Sequence, residues 1–344
     1  MAVTAKELAQ MCGVSRMTVH RALTDTGRIN PQTKELILAK AKECGYRPDL
    51  LARGLVKGQT FYIGVVVLDV NNRYFSQLLS AIGTEARKRG YFVNITLHEQ
   101  NKEMEKEQLE RLVDYHVDGI ILSSVNQGGA YRDFLRSLDT PIVTIGNKIA
   151  EGIPFVSIQE KKAAKEATEA ILYKGYEKIV FVCPPLERTE GNTYVHRQRL
   201  EGFLEALSNW RDKIKTGEAA DAVSAMNVES VVIEQEKEYV ERAYEELQNT
   251  EKRTAFFCTG DIFALDIMKH MNSKGKRAGQ DYGIMGFDGI DMLDYVTPRL
   301  NTIYNPVEQV AKEAVKLLFK LMNGEADGNE SVILDCEMMT GETL

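Results

Sequence analysis

The stretch FYIGVVVLDVNNRYFSQLLSAIGTEARKRG, Phe61 to Gly90, decides the fold. It opens with FYIGVVVL, a nearly continuous run of β-branched and aromatic residues, the pattern of a strand buried on both faces. Its second half sets Phe75, Leu78, Leu79, Ile82 and Ala86 on one helical stripe and stops at Gly90. A doubly buried strand followed by an amphipathic helix is the repeating unit of parallel α/β sheets.

Outward from this unit toward the C-terminus the alternation continues. VDGIILSS (117–124), PIVTIG (141–146), KIVFVC (178–183), TAFFCTG (254–260) and YGIMGFD (282–288) read as strands with helical segments between them. So many strands are better placed in two sheets than in one. The expectation is an α/β body, residues 60–344, of two doubly wound parallel-sheet subdomains. The first takes 60–158 and 306–328; the second takes 159–305 and 329–344.

Toward the N-terminus the pattern changes to short helices. TAKELAQMCG has Thr4 as N-cap with Glu7 three residues on, a capping box, with Leu8, Ala9 and Met11 facing inward and Gly13 at the end. VSRMTVHRAL follows at once, with Ser15 as N-cap and Val14, Val19 and Leu23 on its inner face. NPQTKELILAKAKECG has Asn30 as N-cap, Pro31 at the first helical position, and Leu36, Ile37, Ala41 and Cys44 inside. The short turn between the first two helices makes residues 1–46 a helix-turn-helix headpiece. Residues 47–59 read as a linker able to form a short hinge helix, marginal by itself.

Charge separates the segments further. Met1 to Gly58 hold ten Lys+Arg and five Asp+Glu, net +5, in a chain whose net charge is -7. A basic headpiece on an acidic body points to nucleic acid at one end only. On the second helix Arg16, Met17, His20 and Arg21 point outward. An arginine there can pair with guanine O6 and N7 or neutralise phosphate.

Several classes are disfavoured. The first strand is not followed by G-x-G-x-x-G, and no P-loop, H-E-x-x-H or G-x-S-x-G occurs. The five histidines are scattered, and the five cysteines lack C-x-x-C spacing. The expectation is no enzyme, no cofactor and no metal. The polar N-terminus is unlike a signal peptide and no apolar run approaches the ~20 residues of a membrane span, so a cytoplasmic location without membrane association is expected. A solute-binding protein, the rival with the same body, would have no use for residues 1–58.

Together VTAKELAQMCGVSRMTVHRAL, GYRPDLLARGL, IGVVVLDVNNRYF, RLEGF, TAFFCTGDIFAL, GIMGFDGID and LNTIYNP resemble the lactose-repressor (LacI/GalR) family of bacterial regulators along the whole chain. The resemblance implies a periplasmic-binding-protein-like body and base reading by Arg16 and Met17. Arg21 matches a recurrent arginine of that helix. Thr4, Ser15, Thr18, His20, Arg28 and Asn30 join the DNA-facing set. Leu55 matches a leucine that wedges into the minor groove, beside Ala52 and Arg53 of the hinge. His20, Thr24 and Asp49 depart from the family's Ser, Asn and Asn.

For the body the resemblance implies a small ligand between the subdomains, at the carboxyl ends of strands. Arg199 matches the family's effector arginine and Asp288 its ligand-binding aspartate, a pair suited to the vicinal hydroxyls of a sugar. Asp69 follows the first strand. Tyr74 and Phe75 match an aromatic pair beside the ligand, with core packing the alternative for Phe75. Ser123, Asn147, Asp261 and Asn305 end other strands; helix N-capping is the alternative for Asp261. Gln235 stands where many relatives carry a stacking aromatic. The implied function is a homodimeric repressor, released from a palindromic double-stranded DNA operator by a sugar or sugar derivative; a corepressor-dependent regulator is the alternative.

Overall fold

The computed structural model describes residues 3–47, 58–186, 191–216 and 227–344. Ala52, Arg53, Leu55 and the expected hinge helix lie outside the described residues. The chain divides into two compact units, Met1–Thr60 and Phe61–Leu344.

The first unit holds three helices, α1 (Ala5–Met11), α2 (Arg16–Thr24) and α3 (Pro31–Glu43). Local chemistry starts and stops each one. The Glu7 amide donates to Thr4 Oγ1 at 3.3 Å and the Thr4 amide to Glu7 Oε2 at 2.8 Å, completing the capping box. Gly13, at φ +66°, takes the left-handed turn that ends α1. Ser15 Oγ accepts from the Thr18 amide at 3.1 Å to open α2, and Asn30 Oδ1 from the Gln32 amide at 2.9 Å to open α3. Leu8, Ala9, Val19, Ala22, Ile37 and Ala41 form the small core, with Val14, Leu23 and Cys44 packed on it. Two residues expected inside are not. Met11 is 52 % exposed and Leu36 53 %. Leu36 precedes Ile37 by one residue, about 100° around the helix, and the core-facing stripe of α3 runs through Ile37 and Ala41 instead. On α1, Leu8 and Ala9 already fill the buried stripe.

The second unit contains twelve strands and eight α-helices among the described residues. Its first sheet takes β1 (Tyr62–Val67), β2 (Phe92–Leu97), β3 (Gly119–Leu122), β4 (Ile142–Ile145) and β5 (Phe155–Ile158). Helices α4 (Arg73–Lys88), α5 (Lys102–Asp114) and α6 (Gly129–Ser137) connect them. After β5 come α7 (Glu160–Tyr173), β6 (Lys178–Cys183), α8 (Tyr194–Thr216), β7 (Glu229–Glu234), α9 (Tyr239–Gln248), β8 (Thr254–Cys258), α10 (Asp261–Ser273), β9 (Gly283–Asp288) and β10 (Asn301–Tyr304). A 3₁₀ turn, Asp291–Tyr295, lies between β9 and β10. The chain finishes with α11 (Val307–Met322), β11 (Ser331–Leu334) and β12 (Glu337–Met339).

The strand orders are β11-β5-β4-β3-β1-β2 and β12-β10-β9-β8-β6-β7. All pairs are parallel except β10 with β12. Within each sheet the order reverses once, beside β1 and beside β6. Crevices at the carboxyl ends of strands next to such reversals are where open α/β sheets bind ligands. Helix α4 buries Leu78, Leu79, Ile82 and Ala86 as its periodicity requires, while Phe75 is only partly covered.

One boundary differs from expectation. Residues 329–344 do not all join the second sheet. Ser331–Leu334 pairs in parallel with β5 of the first sheet, and only Glu337–Met339 pairs with β10 of the second. The free edge of β5 offers a complete row of backbone partners, and β11 covers it. The chain therefore passes between the sheets three times, near Gln159, near Asn305 and near Cys336. Among the described residues no helix is long and apolar enough to cross a membrane, and no cluster of His, Cys, Asp and Glu is placed to hold a metal ion.

Candidate functional site

The first candidate face lies on α2. Its buried side is Val19 and Ala22, so Arg16, Met17, His20 and Arg21 are left exposed on the other. Met17 is 59 % exposed, a large apolar group with no core role. Ser15 and Thr18 are joined by their hydroxyls at 2.9 Å, and Thr24 Oγ1 donates to the His20 carbonyl at 2.8 Å. Thr4 and Asn30 cap their helices and Arg28 is exposed before α3. Thr24, one of the departures from the family pattern, thus bonds back into the helix it ends.

The second candidate lies in the body, where Arg199 of α8 meets the ends of β8 and β9. Arg199 is only 4 % exposed. Its Nε donates to Glu160 Oε2 at 2.7 Å and its Nη1 to the Thr259 carbonyl at 2.6 Å. Its guanidinium lies over the Phe287 ring, 3.5 Å from the centroid, and Nη2 stands 3.7 Å from Asp288 Oδ1. Burial opposes the Arg199 charge, but Glu160 and Asp288 outweigh it and raise its pKa. Burial also raises both acids, against the pull of Arg199. Asp288 carries backbone strain as well, at φ 111°, a left-handed conformation costing about 1–3 kcal/mol for such a residue.

Tyr74 reaches this group from α4. It packs against apolar clusters of both sheets, and its hydroxyl is raised in pKa by burial, with Asp288 and Glu160 adding to the effect and Asn305 beside it. Phe75 sits edge-on to Tyr74 with ring centroids 5.2 Å apart. Asn305 is buried where the chain passes between sheets. Among the described residues its Oδ1 has no hydrogen-bond partner, and neither does Thr259 Oγ1. Tyr74, Arg199, Asp288 and Asn305 are therefore brought together as candidates.

The other candidates are engaged in holding the fold. Asp261 is buried; its Oδ1 accepts from Thr302 Oγ1 at 2.5 Å and its Oδ2 from the Ile290 amide at 2.9 Å. It does not cap α10, because the cap position is Gly260. Asn147 joins the two sheets' loops: its Oδ1 accepts from the Val195 amide at 3.2 Å and its Nδ2 donates to the Ser124 carbonyl at 3.2 Å. Asp69 Oδ1 accepts from the Asn72 amide at 2.8 Å, shaping the turn into α4. Ser123 offers its carbonyl to His98 Nε2 at 2.9 Å. Gln235 ends β7, its amide bonded to the Cys183 carbonyl at 2.7 Å.

Sequence reading missed Glu160, Thr259, Asn192 and Glu105. Glu160, the first charged residue after the apolar strand FVSI, fixes Arg199. Asn192 Nδ2 donates to the carbonyls of Asn126 at 3.1 Å and Lys148 at 3.0 Å, across the two sheets' loops. Glu105 is fully buried and accepts from Ser124 Oγ at 2.6 Å, the Val125 amide at 2.7 Å and Asn126 Nδ2 at 3.0 Å, shaping the loop Asn192 meets. In a single sequence a polar residue at a strand end signals equally a loop former and a ligand contact.

A helix-turn-helix unit with an outward basic face, joined to a two-sheet body with an Arg–Asp pair at its strand ends, defines a DNA-binding regulator with a small-molecule domain. Residues 4–49 match the family described as bacterial regulatory proteins, lacI family, and residues 168–344 match the periplasmic binding protein-like domain. The chain belongs to the lacI family of bacterial regulatory proteins. It is 27 % identical over 329 residues to catabolite control protein A of Priestia megaterium, with 94 % of each chain covered. It is 29 % identical over 317 residues to the ribose operon repressor of Halalkalibacterium halodurans, covering 92 % of this chain and 89 % of that one. A crystal structure of the lac repressor dimer bound to operator and an anti-inducer shares the fold, with a TM-score of 0.82 at 20 % identity over 100 % of this chain and 99 % of that one.

Proposed function

We propose that this protein is a cytoplasmic, homodimeric repressor, not an enzyme, whose hold on a palindromic operator is relaxed by a sugar or sugar derivative bound between the two sheets of its body. Arg16 and Met17 would read base edges in the major groove, with Thr4, Ser15, Thr18, His20, Arg21, Arg28 and Asn30 toward the backbone and neighbouring bases. Ala52, Arg53 and Leu55 would enter the minor groove at the operator centre. In the body Tyr74, Arg199, Asp288 and Asn305 would contact the ligand, with Phe75 behind Tyr74. Asp69, Ser123, Asn147 and Asp261 would shape and close the cleft around it.

The observation that carries this reading is the Arg199–Asp288 pair, with Arg199 buried on α8 over the Phe287 ring and Asp288 at the end of β9, beside the unpartnered Asn305 Oδ1. The name of the ribose operon repressor supports a sugar, and the lac repressor complex supports the operator and the dimer. A ligand that binds only one arrangement of the two sheets shifts the population toward it, which links cleft to headpiece. The test pairs a thermal-shift screen of sugars on the full chain with operator gel shifts. A sugar that raises the melting point and releases the operator supports the proposal. A ligand that tightens operator binding would make it a corepressor, and binding without any effect on DNA would sink the regulatory role.

A further inference from the structure

The hydrogen-bonding capacity left over around Arg199 is unevenly divided. The guanidinium spends Nε on Glu160 and Nη1 on the Thr259 carbonyl. One N–H of Nη1 and both of Nη2, the group nearest Asp288, make no hydrogen bond to a described residue. Glu160 and Asp288 are two carboxylates against this one cation among the described residues. Negative charge is therefore in surplus, and open acceptors stand beside it. The Asp288 carboxylate receives no hydrogen bond from any described residue, its nearest cation being Nη2 at 3.7 Å. Asn305 Oδ1 is a buried, unpartnered acceptor; His196 Nδ1, which donates or accepts according to its tautomer, and the Thr259 hydroxyl, which can turn either way, are unpartnered too. His196 is held neutral, its pKa pushed down to about 3 by burial and by Arg199.

We infer that the effector of this cleft is a donor-rich molecule without phosphate or carboxylate: an unphosphorylated polyol, bound best when it carries an amine. The inference rests on the proposed reading of the cleft as the effector site and names the chemistry that site accepts. A phosphate or carboxylate brings further negative charge, and no donor, to a place already holding an excess of negative charge. A sugar hydroxyl donates to Asp288 or Asn305 and can accept from the Nη2 edge. An ammonium donates to the same oxygens and cancels the surplus charge. The surplus charge also makes this arrangement a cost to the fold, as binding sites often are.

Two measurements on the full chain decide the matter. The first is a thermal-shift series on matched compounds: D-glucosamine, D-glucose and D-glucose 6-phosphate; D-galactosamine, D-galactose and D-galactose 6-phosphate; D-ribose and D-ribose 5-phosphate. The expected order within any responding set is amine, then neutral sugar, with no shift from the phosphate. A phosphate that shifts more than its parent sugar overturns the inference. Silence from every compound counts against the sugar reading of the cleft, and the second measurement then decides alone. That measurement is the melting point of ligand-free Asp288→Asn. The groups facing Asp288 are Arg199, Glu160, Asp261, Tyr74 and Cys336. Removing the surplus charge raises the melting point by about 2 °C or more at pH 8, and by less at pH 5, where the native carboxyl is already more protonated. An equal gain at both pH values would mark mere relief of backbone strain at φ 111°, and a loss at pH 8 would show the charge to be needed for stability. Either result overturns the inference.

Discussion

Arg73 and Asp291 clasp the two halves of the body together. Arg73, at the start of α4 on the first sheet, donates Nε to Asp291 Oδ1 at 2.6 Å and Nη2 to Oδ2 at 2.5 Å. Asp291 opens the 3₁₀ turn after β9 of the second sheet, and its amide also donates to Gln77 Oε1 at 3.3 Å. The bidentate geometry is good, but both side chains are nearly half exposed. The pair is therefore a salt-sensitive clasp rather than a large source of stability. In a double-mutant cycle of Arg73→Ala and Asp291→Ala, read by melting point, the coupling should be favourable at low ionic strength and shrink at high salt. Coupling that ignores salt would mean the two residues act through packing.

Gly202 lies three residues after Arg199 on α8. A Cβ there would collide with the Lys161 carbonyl oxygen. That contact is backbone on backbone, so α8 can approach the start of α7 only because this residue has no side chain. The same approach brings Arg199 to Glu160. Gly202→Ala should cost about 1–3 kcal/mol in urea unfolding through overpacking and should also weaken the response to effector. An alanine variant as stable as the parent would show that the two helices can separate freely.

Asp261 sets a pH dependence. Burial raises its pKa from 3.8 to about 7, against the hydrogen bonds from Thr302, Ile290 and Gly289. A raised carboxyl means the folded state binds an extra proton between the unfolded and folded values, so stability is present at low pH and is lost as pH rises toward 7. Asp261→Asn keeps an acceptor for the Ile290 amide and can donate to Thr302. Its melting point relative to the parent should rise from pH 4 to pH 8; parallel curves would contradict the shift.

On the DNA side, Arg16→Ala should relax base preference at one operator position by about 1–3 kcal/mol while leaving the body's melting point unchanged. Selection of binding sequences from a random library is the check. An unaltered motif would confine Arg16 to the phosphate backbone.

Replacing Arg199 needs a different reading from a simple ligand contact. Arg199→Ala leaves Glu160 and Asp288 buried without their cation, and breaking a buried pair in this way costs about 3–5 kcal/mol. Loss of effector response in that variant would thus come with loss of stability in chemical denaturation. A variant of full stability would show that water enters the cleft freely enough to replace the guanidinium.

Features under short-range chemical control are legible in the amino-acid order. Thr4, Ser15 and Asn30 cap helices within three residues of themselves, so the three-helix headpiece could be read directly. The β-branched runs and the 3.6-residue stripes likewise produce the alternating body, because burial on two faces or one leaves its period in the chain. Arg199, Asp288 and Tyr74 were legible as a group only through resemblance, since no local pattern links them.

Which polar strand-end residues keep uncommitted atoms depends instead on long-range packing. Asp261 and Asp288 look alike in sequence, yet one is saturated by Thr302 and Ile290 while the other faces Arg199 at 3.7 Å. Glu160 gave no signal at all, because its partner Arg199 is 39 residues away. Whether β11 joins the first sheet or the second also depends on an edge built much earlier in the chain, at β5. In each case the outcome turns on which donors and acceptors the packed sheets bring within about 3 Å of one another, and that distance is fixed by the fold as a whole.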